Sequence, residues 1–362
     1  MKILKIDTPI FKKAYDETLN MKSKKVIVFG AAGFIGTYLI DELLRQNYQI
    51  IASDISDVGE NHYRENNVPY VSIDITNKNE FEKIPKKKYD AVIHVAALQP
   101  ANISTSNYDP RNYINVNVIG TLNILEFCRK NEIGKIIYAS SHRNTQGLWR
   151  KKKAIREEDG RGQKNSGEYA MFSISESAAQ DCVEYYQAQY GLKGIIFRLP
   201  PVYGYGPYTE IFKDGKRILT GFKTFIDRAI ACKPLEMWGD SSVGRDIVYV
   251  KDVVTAFIKA LSNDKVFGLF NIASGKYLTL REQVEISAKI FWGDNTKPKI
   301  VELPEKPHFM DSFLYDISKA KQQLDWSPQY DFEEMLLDIK EEMQSKKFEY
   351  LIEKQKIILK NN

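Results

Sequence analysis

The sequence has few cysteines, no long apolar run and no large block of one charge. Its three cysteines, Cys128, Cys182 and Cys232, lie far apart, which excludes a disulfide framework and a metal-type spacing. We therefore expect a reducing, cytoplasmic compartment and no metal. No apolar run approaches the roughly 18 residues that span a bilayer, and the first twenty residues are too charged for a signal peptide, so we expect no membrane partner.

Basic residues are also too thinly spread for a nucleic-acid groove. The formal net charge is +5, and the short runs 86–88 and 150–153 do not alternate with aromatic residues, so we expect solvated loops and no nucleic-acid partner. Hydrophobic residues make up 43% and aromatic residues 12% of the 362 positions. This composition supports an ample globular core, and the length indicates one large domain or two closely associated ones.

A glycine-rich segment, Gly30 to Gly36, follows the apolar run 26–29 and precedes a helix-patterned segment at 37–46. This order predicts a strand–turn–helix unit that binds a dinucleotide, with a ligand-free turn as the alternative. Gly30 allows a tight turn, Gly33 brings bare backbone close to a pyrophosphate, and Gly36 lets the helix pack on the strand. Amides at the start of the helix then face the phosphates, favoured by the helix dipole.

A second candidate strand, 49–53, ends in Asp54, close to the spacing at which an acid binds the adenosine ribose. A carboxylate there accepts hydrogen bonds from the ribose hydroxyls and repels a 2′-phosphate. The sequence therefore predicts NAD(H) rather than NADP(H) as the cofactor.

Strand-like and helix-like segments alternate through the first two hundred residues. The predicted strands are 25–30, 49–53, 69–74, 90–95, 135–140 and 194–199, and the predicted helices are 36–47, 112–131 and 168–190. The alternation predicts an α/β fold with a doubly wound parallel sheet. In such a sheet the carboxyl ends of the strands form one ligand-binding crevice.

The pattern changes after Arg198, where proline, glycine and short elements indicate a smaller lobe built from discontinuous pieces. Here we expect a helix near 221–231, a strand at 245–250 and a helix from Asp252. The expected parts are an N-terminal extension, 1–23; a dinucleotide-binding domain, 24–200 with 246–273; a substrate-binding lobe, 201–245 with 274–340; and a C-terminal tail, 341–362. Either end is compatible with a packed helix, an oligomer contact or a frayed segment.

Residues 24–340 resemble the extended short-chain dehydrogenase/reductase family, the NAD-dependent epimerases and dehydratases of nucleotide sugars, because several motifs occur in the order found in that family. Besides the glycine-rich segment and Asp54, the resemblance rests on Asp74-Ile75, His94-Val95-Ala96-Ala97, Asn117 to Thr121, Arg198 to Gly204, Arg245-Asp246, Val250 to Val253 and Asn271-Ile272-Ala273. It implies an NAD-binding Rossmann domain and a nucleotide-sugar substrate. It also implies a homodimer formed through the segments near 112–131 and 168–190, an argument by analogy.

The resemblance implies cofactor contacts along the strand ends. Asp74 would reach the adenine amine, although capping of a turn is an alternative for it, and Ile75 would pack against the adenine. Ala96, Ala97 and Leu98 would contribute backbone and packing. The full implied set is Gly30, Gly33, Phe34, Ile35, Gly36, Asp54, Asp74, Ile75, Ala96, Ala97, Leu98, Asn117, Ser140, Glu176, Pro200 and Val202.

The family's chemistry normally needs a Ser or Thr, a Tyr that exchanges a proton, and a Lys four residues later that lowers the pKa of the Tyr. The downstream helix places Phe172 at the Tyr position and Glu176 at the Lys position, and the count back from Gly147 places His142 at the Ser/Thr position. All three groups are therefore replaced. The segment that begins at Tyr169 also resembles the Tyr motif of the family, but the downstream helix favours the first placement.

Protic groups nearby are candidates for the lost proton chemistry. His142 is a natural acid/base at neutral pH. Tyr169 could present its hydroxyl to the crevice, with ordinary packing as the alternative. Glu176 could bind ribose hydroxyls, or pair with His142 or Arg143. We predict His142, Tyr169 and Glu176 as the catalytic set and His94 as a core histidine.

Substrate residues follow from the same resemblance. Arg245 matches the arginine that binds the nucleotide diphosphate in the family. A guanidinium suits this role because it is permanently charged and donates two parallel hydrogen bonds. Lys306 occupies a position where a second phosphate-binding arginine is common in the family. Pro201 replaces an asparagine that often contacts the sugar nucleotide. Arg143 completes the predicted substrate set.

Two hypotheses follow. The first is an NAD-dependent nucleotide-sugar epimerase or dehydratase whose acid/base site has been rebuilt around His142. The second is a catalytically silent relative that binds NAD(H) or a nucleotide sugar as a sensor or assembly partner. The protic replacements and the retained Arg245 favour the enzyme.

Overall fold

The protein is described from a computed structural model that covers residues 24–55, 57–100, 108–149, 153–167, 169–206, 210–213, 216–307 and 311–353. At 210–213 and 216–218 the backbone alone is described. The N-terminal extension 1–23 and the last residues of the tail, 354–362, lie outside these ranges.

A seven-stranded parallel sheet forms the centre of the molecule. The strands of the described chain are β1 Lys25–Phe29, β2 Gln49–Asp54, β3 Tyr70–Ser72, β4 Ala91–His94, β5 Lys135–Ser141, β6 Lys193–Leu199, β7 Val202–Tyr203, β8 Glu210–Lys213, β9 Lys216–Leu219, β10 Leu235–Trp238, β11 Gly244–Arg245, β12 Val248–Tyr249, β13 Gly268–Asn271, β14 Leu278–Thr279 and β15 Ile300–Leu303. The central order is β13-β6-β5-β4-β1-β2-β3. The six predicted strands and the doubly wound parallel sheet are confirmed, and the chain order reverses between β1 and β4, where such sheets bind ligands.

The helices flank this sheet. They are α1 Phe34–Arg45, α2 Glu60–Glu65, α3 Pro110–Tyr113, α4 Gly120–Lys130, α5 Ala170–Tyr190, α6 Gly221–Ile230, α7 Val250–Ser262, α8 Leu280–Phe291, α9 Ser318–Leu324 and α10 Phe332–Gln344. Short 3-10 helices cover Lys78–Lys83, His142–Leu148 and Glu157–Asp159, and a π-helix covers Ile114–Ile119. The helix predicted at 112–131 is therefore α3, the π-helix and α4 in succession.

Both faces of the sheet are covered, which explains why β1 is a continuous apolar run. Val26 and Val28 belong to a core cluster with Leu39 of α1 and residues of α7. Ile27 and Phe29 belong to a second cluster with residues of α4 and α5 on the opposite face. Alternation along the strand assigns its side chains to the two clusters in turn.

The strand predicted at 245–250 is wrong in its extent, because β11 and β12 are separate and pair with different partners. β11 pairs with β14, and β12 pairs with β7. Between them the carboxylate of Asp246 accepts hydrogen bonds from the amides of Ser274 and Tyr315. These bonds turn the chain away from a straight strand. Helix α7 begins at Val250, two residues earlier than predicted.

The described part of the C-terminal tail is packed against the rest of the molecule. Phe348 and Leu351 are buried in the larger core cluster, and the ring of Phe348 lies 5.0 Å from the ring of Tyr38 in α1. Of the alternatives for this tail, the packed segment fits residues 345–353. Among the helices of the described ranges, none combines the length and the apolar character that crossing a bilayer would need.

Candidate cofactor crevice and substrate site

The glycine-rich turn after β1 leaves no room for side chains on its inner side. Gly30 has a φ of +87°, and a Cβ there would lie 2.6 Å from the nitrogen of Ala96. A Cβ on Gly36 would lie 2.7 Å from the carbonyl oxygen of Ala31. The backbone of the turn therefore packs directly against the segment after β4, and α1 packs directly against the turn. This is the close packing that the glycines predict.

The outer side of the same turn is open, and it fits a dinucleotide. A Cβ on Gly33 would meet only the carbonyl oxygen of Gly30, at 3.1 Å, within the described surroundings. Gly33 is also the N-cap of α1, and no side chain caps that helix end. Amides at a helix start without a side-chain cap can bind a phosphate. The residues present thus fit the pyrophosphate of NAD.

Asp54 is fixed beside this turn. Its Oδ2 accepts a hydrogen bond from the amide of Ala32 at 3.0 Å, and its Oδ1 accepts one from the amide of Ile55 at 2.8 Å. The carboxylate therefore lies at the end of β2 and also holds the glycine-rich turn. This is the position from which it would bind the adenosine ribose, a role that stays a prediction.

Asp74 and Ile75 follow β3, which pairs with β2 at the edge of the central sheet. Oδ1 of Asp74 accepts hydrogen bonds from the amide and the hydroxyl of Thr76, at 2.9 and 2.8 Å. This oxygen therefore caps the turn, which is the alternative role expected for Asp74. Ile75 is buried against Gly120 of α4, where a Cβ would lie 2.6 Å from the Ile75 Cδ1. The adenine contacts of both residues stay predictions.

Asn117 and Ser140 were predicted as cofactor contacts, but their buried side chains bond to the protein itself. Asn117 Oδ1 accepts from the amide of Leu98 at 2.7 Å, and its Nδ2 donates to the Leu98 carbonyl and to Ser175 Oγ. Ser140 Oγ donates to Gln180 Oε1 at 3.3 Å. Asn117 therefore positions the segment that contains Ala96, Ala97 and Leu98. The cofactor contacts of Asn117 and Ser140 stay predictions.

Glu176 does not occupy the predicted place in the crevice. Its carboxyl is 2% exposed and accepts a hydrogen bond from the hydroxyl of Tyr138 at 2.9 Å. Its Oε1 has no hydrogen-bond partner among the described residues. The prediction that it pairs with His142 or Arg143 is wrong, because Tyr138 on β5 lies beneath it and takes the bond. Burial raises the pKa of Glu176 to about 7.

Phe172, at the expected Tyr position, is also buried, with its ring 6.3 Å from that of Tyr113. A phenyl ring carries no exchangeable proton. His94 is fully buried, with Nε2 hydrogen-bonded to Thr121 Oγ1 at 2.9 Å, so its interpretation as a core histidine is confirmed. Burial lowers the pKa of His94 to about 3.

His142 is held in one orientation at the end of β5. Its Nδ1 lies 3.1 Å from the carbonyl oxygen of Leu199. A carbonyl only accepts, so Nδ1 carries the proton and Nε2 is the acceptor of the neutral ring. The imidazole stacks on Trp149, with ring centroids 5.5 Å apart, and lies 5.3 Å from the ring of Phe313.

Two guanidinium groups face His142. Burial, together with the charges of Arg143 and Arg245, lowers the pKa of His142 well below the usual histidine value. An imidazolium here would lose its hydration and face two cations, so the ring is neutral at neutral pH. His142 is therefore a proton acceptor at rest and a strong acid once protonated.

Arg143 and Tyr169 form one unit beside His142. The guanidinium carbon of Arg143 lies 4.0 Å from the ring centroid of Tyr169 and 5.3 Å from that of Trp149. Its Nη1 lies 3.8 Å from Oδ2 of Asp311, an ion pair too long for a hydrogen bond. Tyr169 is the N-cap of α5 and lies outside the helix, so its ring supports Arg143.

Arg245 on β11 lies close enough to His142 for its charge to lower the pKa of the imidazole. Its Nη2 donates to the hydroxyl of Tyr203 at 2.9 Å, and its buried Nε has no hydrogen-bond partner within the described residues. Its charge also acts on Arg143, where burial and then this repulsion lower the pKa of the Arg143 guanidinium. The structure thus brings together four predicted site residues, His142, Arg143, Tyr169 and Arg245.

Lys306 and the prolines have other contacts. Lys306 Nζ lies 3.3 Å from Glu236 Oε2 and 4.5 Å from the ring centroid of Trp238, on the β10–β15 ribbon. No described contact joins it to Arg245, and its phosphate-binding role stays a prediction. The carbonyl of Pro201 accepts a hydrogen bond from the amide of Val248 at 3.1 Å. This bond joins the segment after β6, which contains Pro200 and Val202, to β12.

Sequence reasoning missed the residues that enclose His142. Trp149, Phe313 and Tyr315 belong to one small buried cluster, and the hydroxyl of Tyr315 hydrogen-bonds to Thr145 Oγ1 at 2.7 Å. The aromatic pair at 313 and 315 is far from His142 in sequence. Its alternate-residue spacing indicates a strand face, and nothing in it points to β5.

Comparison with known proteins agrees with this architecture. Residues 26–273 match the model of the family described as "NAD dependent epimerase/dehydratase family". A Methanocaldococcus jannaschii protein named "Putative UDP-glucose 4-epimerase" is 31% identical over 85% of this chain and 95% of its own length. A Bacillus cytotoxicus UDP-N-acetyl-alpha-D-glucosaminuronate decarboxylase is 29% identical over 86% of this chain and 95% of its own.

A solved structure shows the same fold. The UDP-glucose 4-epimerase of Thermotoga maritima, crystallised with UDP-glucose, superposes with a TM-score of 0.74 and 25% identity, covering 89% of this chain and 99% of that one. The family match spans the glycine-rich turn, Asp54, His142 and Arg245. The resemblance seen in the motifs is thereby confirmed, and the chain belongs to the NAD-dependent epimerase/dehydratase family, whose cofactor is NAD.

Proposed function

We propose that this protein is an enzyme that uses NAD to transform a nucleotide-linked sugar, as an epimerase or dehydratase with a rebuilt acid/base site. The observation that carries the proposal is the fixed orientation of His142, whose Nδ1 is held by the Leu199 carbonyl and whose pKa is lowered by burial and by the charges of Arg143 and Arg245. An oriented acceptor close to two cations is suited to removing a proton and stabilising the negative charge left behind.

The substrate class is supported by the relatives and by the retained arginine. The names of the relatives above describe enzymes of UDP-linked sugars, and Arg245 matches the arginine that binds the nucleotide diphosphate in the resemblance. A guanidinium offers a planar fork of donors that matches phosphate oxygens. We assign Arg245, oriented by Tyr203 at 2.9 Å, to the diphosphate of the substrate.

When bound, NAD supplies hydride acceptance and return at its nicotinamide ring. The residues that would hold it are the turn Gly30 to Gly36, with its uncapped helix start, and Asp54. Asn117 orients the segment at Ala96–Leu98 by two hydrogen bonds to Leu98.

His142 moves the proton. Its Nε2 accepts the proton of a sugar hydroxyl, or of a carbon next to a sugar carbonyl, while Nδ1–H stays on the Leu199 carbonyl. The charges of Arg143 and Arg245 disfavour the imidazolium and favour a neighbouring sugar oxyanion. The proton therefore returns quickly to the sugar, which is the requirement for moving it between two faces or two atoms.

The experiment is turnover of a nucleotide-sugar panel by the purified protein with NAD, followed by chromatography and NMR of the products. We expect His142→Ala to lower turnover about 10²–10⁴-fold, the usual contribution of a general acid or base. His62→Ala is the matched control, because His62 packs against Tyr63 and Phe348, away from this site.

Two outcomes would contradict the proposal. If NAD and sugar nucleotides bind but no member of the panel is converted, the chain is a binding protein. If His142→Ala turns over as fast as the wild type, His142 does not carry the proton.

A further inference from the structure

Resting on the proposed function, we propose that Arg143 binds an acidic group on the sugar, so that the substrate is a nucleotide-linked sugar acid. The carboxylate of a uronate would lie on the guanidinium of Arg143, while the diphosphate lies on Arg245. A neutral hexose would leave the first of these cations without a partner from the substrate.

The placement of Arg143 supports this assignment. It is the first residue after His142 in the 3-10 helix His142–Leu148, and its amide donates to Ser141 Oγ at the start of that helix. The backbone therefore fixes Arg143 next to the proton acceptor. Its ring support, Tyr169, stands one helical turn before Phe172, the position where the family places its proton-exchanging group. Arg143 thus lies at the sugar end of the site.

The orientation of the guanidinium favours a planar acid. Its central carbon lies over the ring of Tyr169, 4.0 Å from the centroid, and its side chain is 20% exposed. Stacking uses the face and leaves the edge, where the N–H donors lie, available for hydrogen bonds in the plane. The nearby Asp311 carboxylate is 3.8 Å from Nη1, so the ion pair does not use the edge as a hydrogen bond would.

The local charge is also positive and so favours an anionic substrate. Arg143 and Arg245 repel one another and His142 is neutral, while Asp311 supplies the carboxylate that pairs with Arg143. A substrate diphosphate on Arg245 satisfies one cation. One donor of Arg245, its buried Nε, has no hydrogen-bond partner among the described residues. A carboxylate on the sugar would give Arg143 the hydrogen bonds that Asp311, at 3.8 Å, does not make.

The test compares three probes, UDP, UDP-glucose and UDP-glucuronate, by titration calorimetry on the full chain with saturating NAD. We expect the wild type to bind UDP-glucuronate about 10- to 100-fold tighter than UDP-glucose, the range of a charge-assisted bidentate contact. Arg143→Met should abolish this preference by weakening the binding of UDP-glucuronate, and it should leave the affinity for UDP, which lacks the sugar, unchanged.

Two further variants complete the design. Arg143→Lys keeps the charge but loses the fork and the stacking, so it should retain only part of the preference. Arg129→Met, on the outer face of α4, is the matched control and should bind all three probes as the wild type does.

The outcomes separate this inference from the proposed function. Equal affinity of the wild type for the two sugar nucleotides overturns the inference alone. Weaker binding of UDP itself to Arg143→Met also overturns it, because Arg143 would then serve the diphosphate. Failure of UDP and both sugar nucleotides to bind the folded wild type would contradict the proposed function instead.

Discussion

Replacing Glu176 with glutamine should make the protein less sensitive to rising pH. The carboxyl of Glu176 lies between β5 and α5, where burial raises its pKa from an ordinary 4.5 to about 7. The folded state therefore keeps a proton that the unfolded state releases over this range. This contribution to stability is complete below pH 4.5 and is lost as pH rises through about 7. Glutamine has no proton to lose.

The magnitude follows from the shift. A difference of about 2.5 pKa units is worth about 3 kcal/mol, at about 1.4 kcal/mol for each unit. Between about pH 5 and about pH 8, the wild type should lose about 2–3 kcal/mol relative to Glu176→Gln. Other buried carboxyls such as Asp246 and Asp252 are present in both proteins, so their titration cancels in the difference.

The measurement is urea unfolding of both proteins at several pH values between these limits. Glu184→Gln is the matched control, because its side chain lies on the same helix and is 46% exposed. A constant difference between wild type and Glu176→Gln across the pH range would refute the reasoning. It would mean that Glu176 ionises without penalty, and hence that its carboxyl reaches water or a cation.

Three further predictions concern the crevice and the site. Asp54→Ala should weaken NAD binding about 10- to 100-fold, because the hydrogen bonds between the carboxylate and the ribose are lost. It should also narrow the preference for NAD over NADP, because the carboxylate no longer repels the 2′-phosphate. Unaltered affinity for both cofactors would contradict this prediction. Gly30→Ala should cost about 1–3 kcal/mol in urea unfolding, since φ is +87° and the Cβ would strike backbone, whereas Gly134→Ala, with nothing within 4 Å, should cost much less. Arg143→Met should raise the pKa of His142 by removing a facing cation. His142 acts unprotonated, so activity is lost as pH falls through its pKa. In Arg143→Met, the acid limb of the pH profile of kcat/KM should therefore move to higher pH. An acid limb at the wild-type pH would show that Arg143 does not act on His142.

The strands could be predicted because their signal is local. β1, β2 and β4 to β6 are short apolar runs with turn residues at their ends, and a buried parallel sheet requires this pattern. The glycine-rich turn was equally readable, since a tight turn and close backbone contact each demand glycine at a fixed position. The family resemblance added the order of the motifs, and the family match confirmed it.

The side-chain partners could not be predicted in the same way. Alignment placed Glu176 at the Lys position, but the direction of its carboxyl depended on Tyr138, which β5 brings beneath it. The break between β11 and β12 depended on Asp246, whose partners include Tyr315, about 70 residues later. Each of these partners is distant in sequence, and only the packed chain brings them together.

By itself, the sequence determined the sheet and the dinucleotide turn, and it predicted that the usual Tyr and Lys are replaced, because each depends on residue type at a fixed short spacing. Tertiary structure decided the state of the groups that remain. His142 is neutral and fixed because Trp149, Phe313 and two guanidiniums surround it, and these come from separate parts of the chain. A proton's affinity for its site is set by everything within a few ångströms, and that neighbourhood exists only after folding.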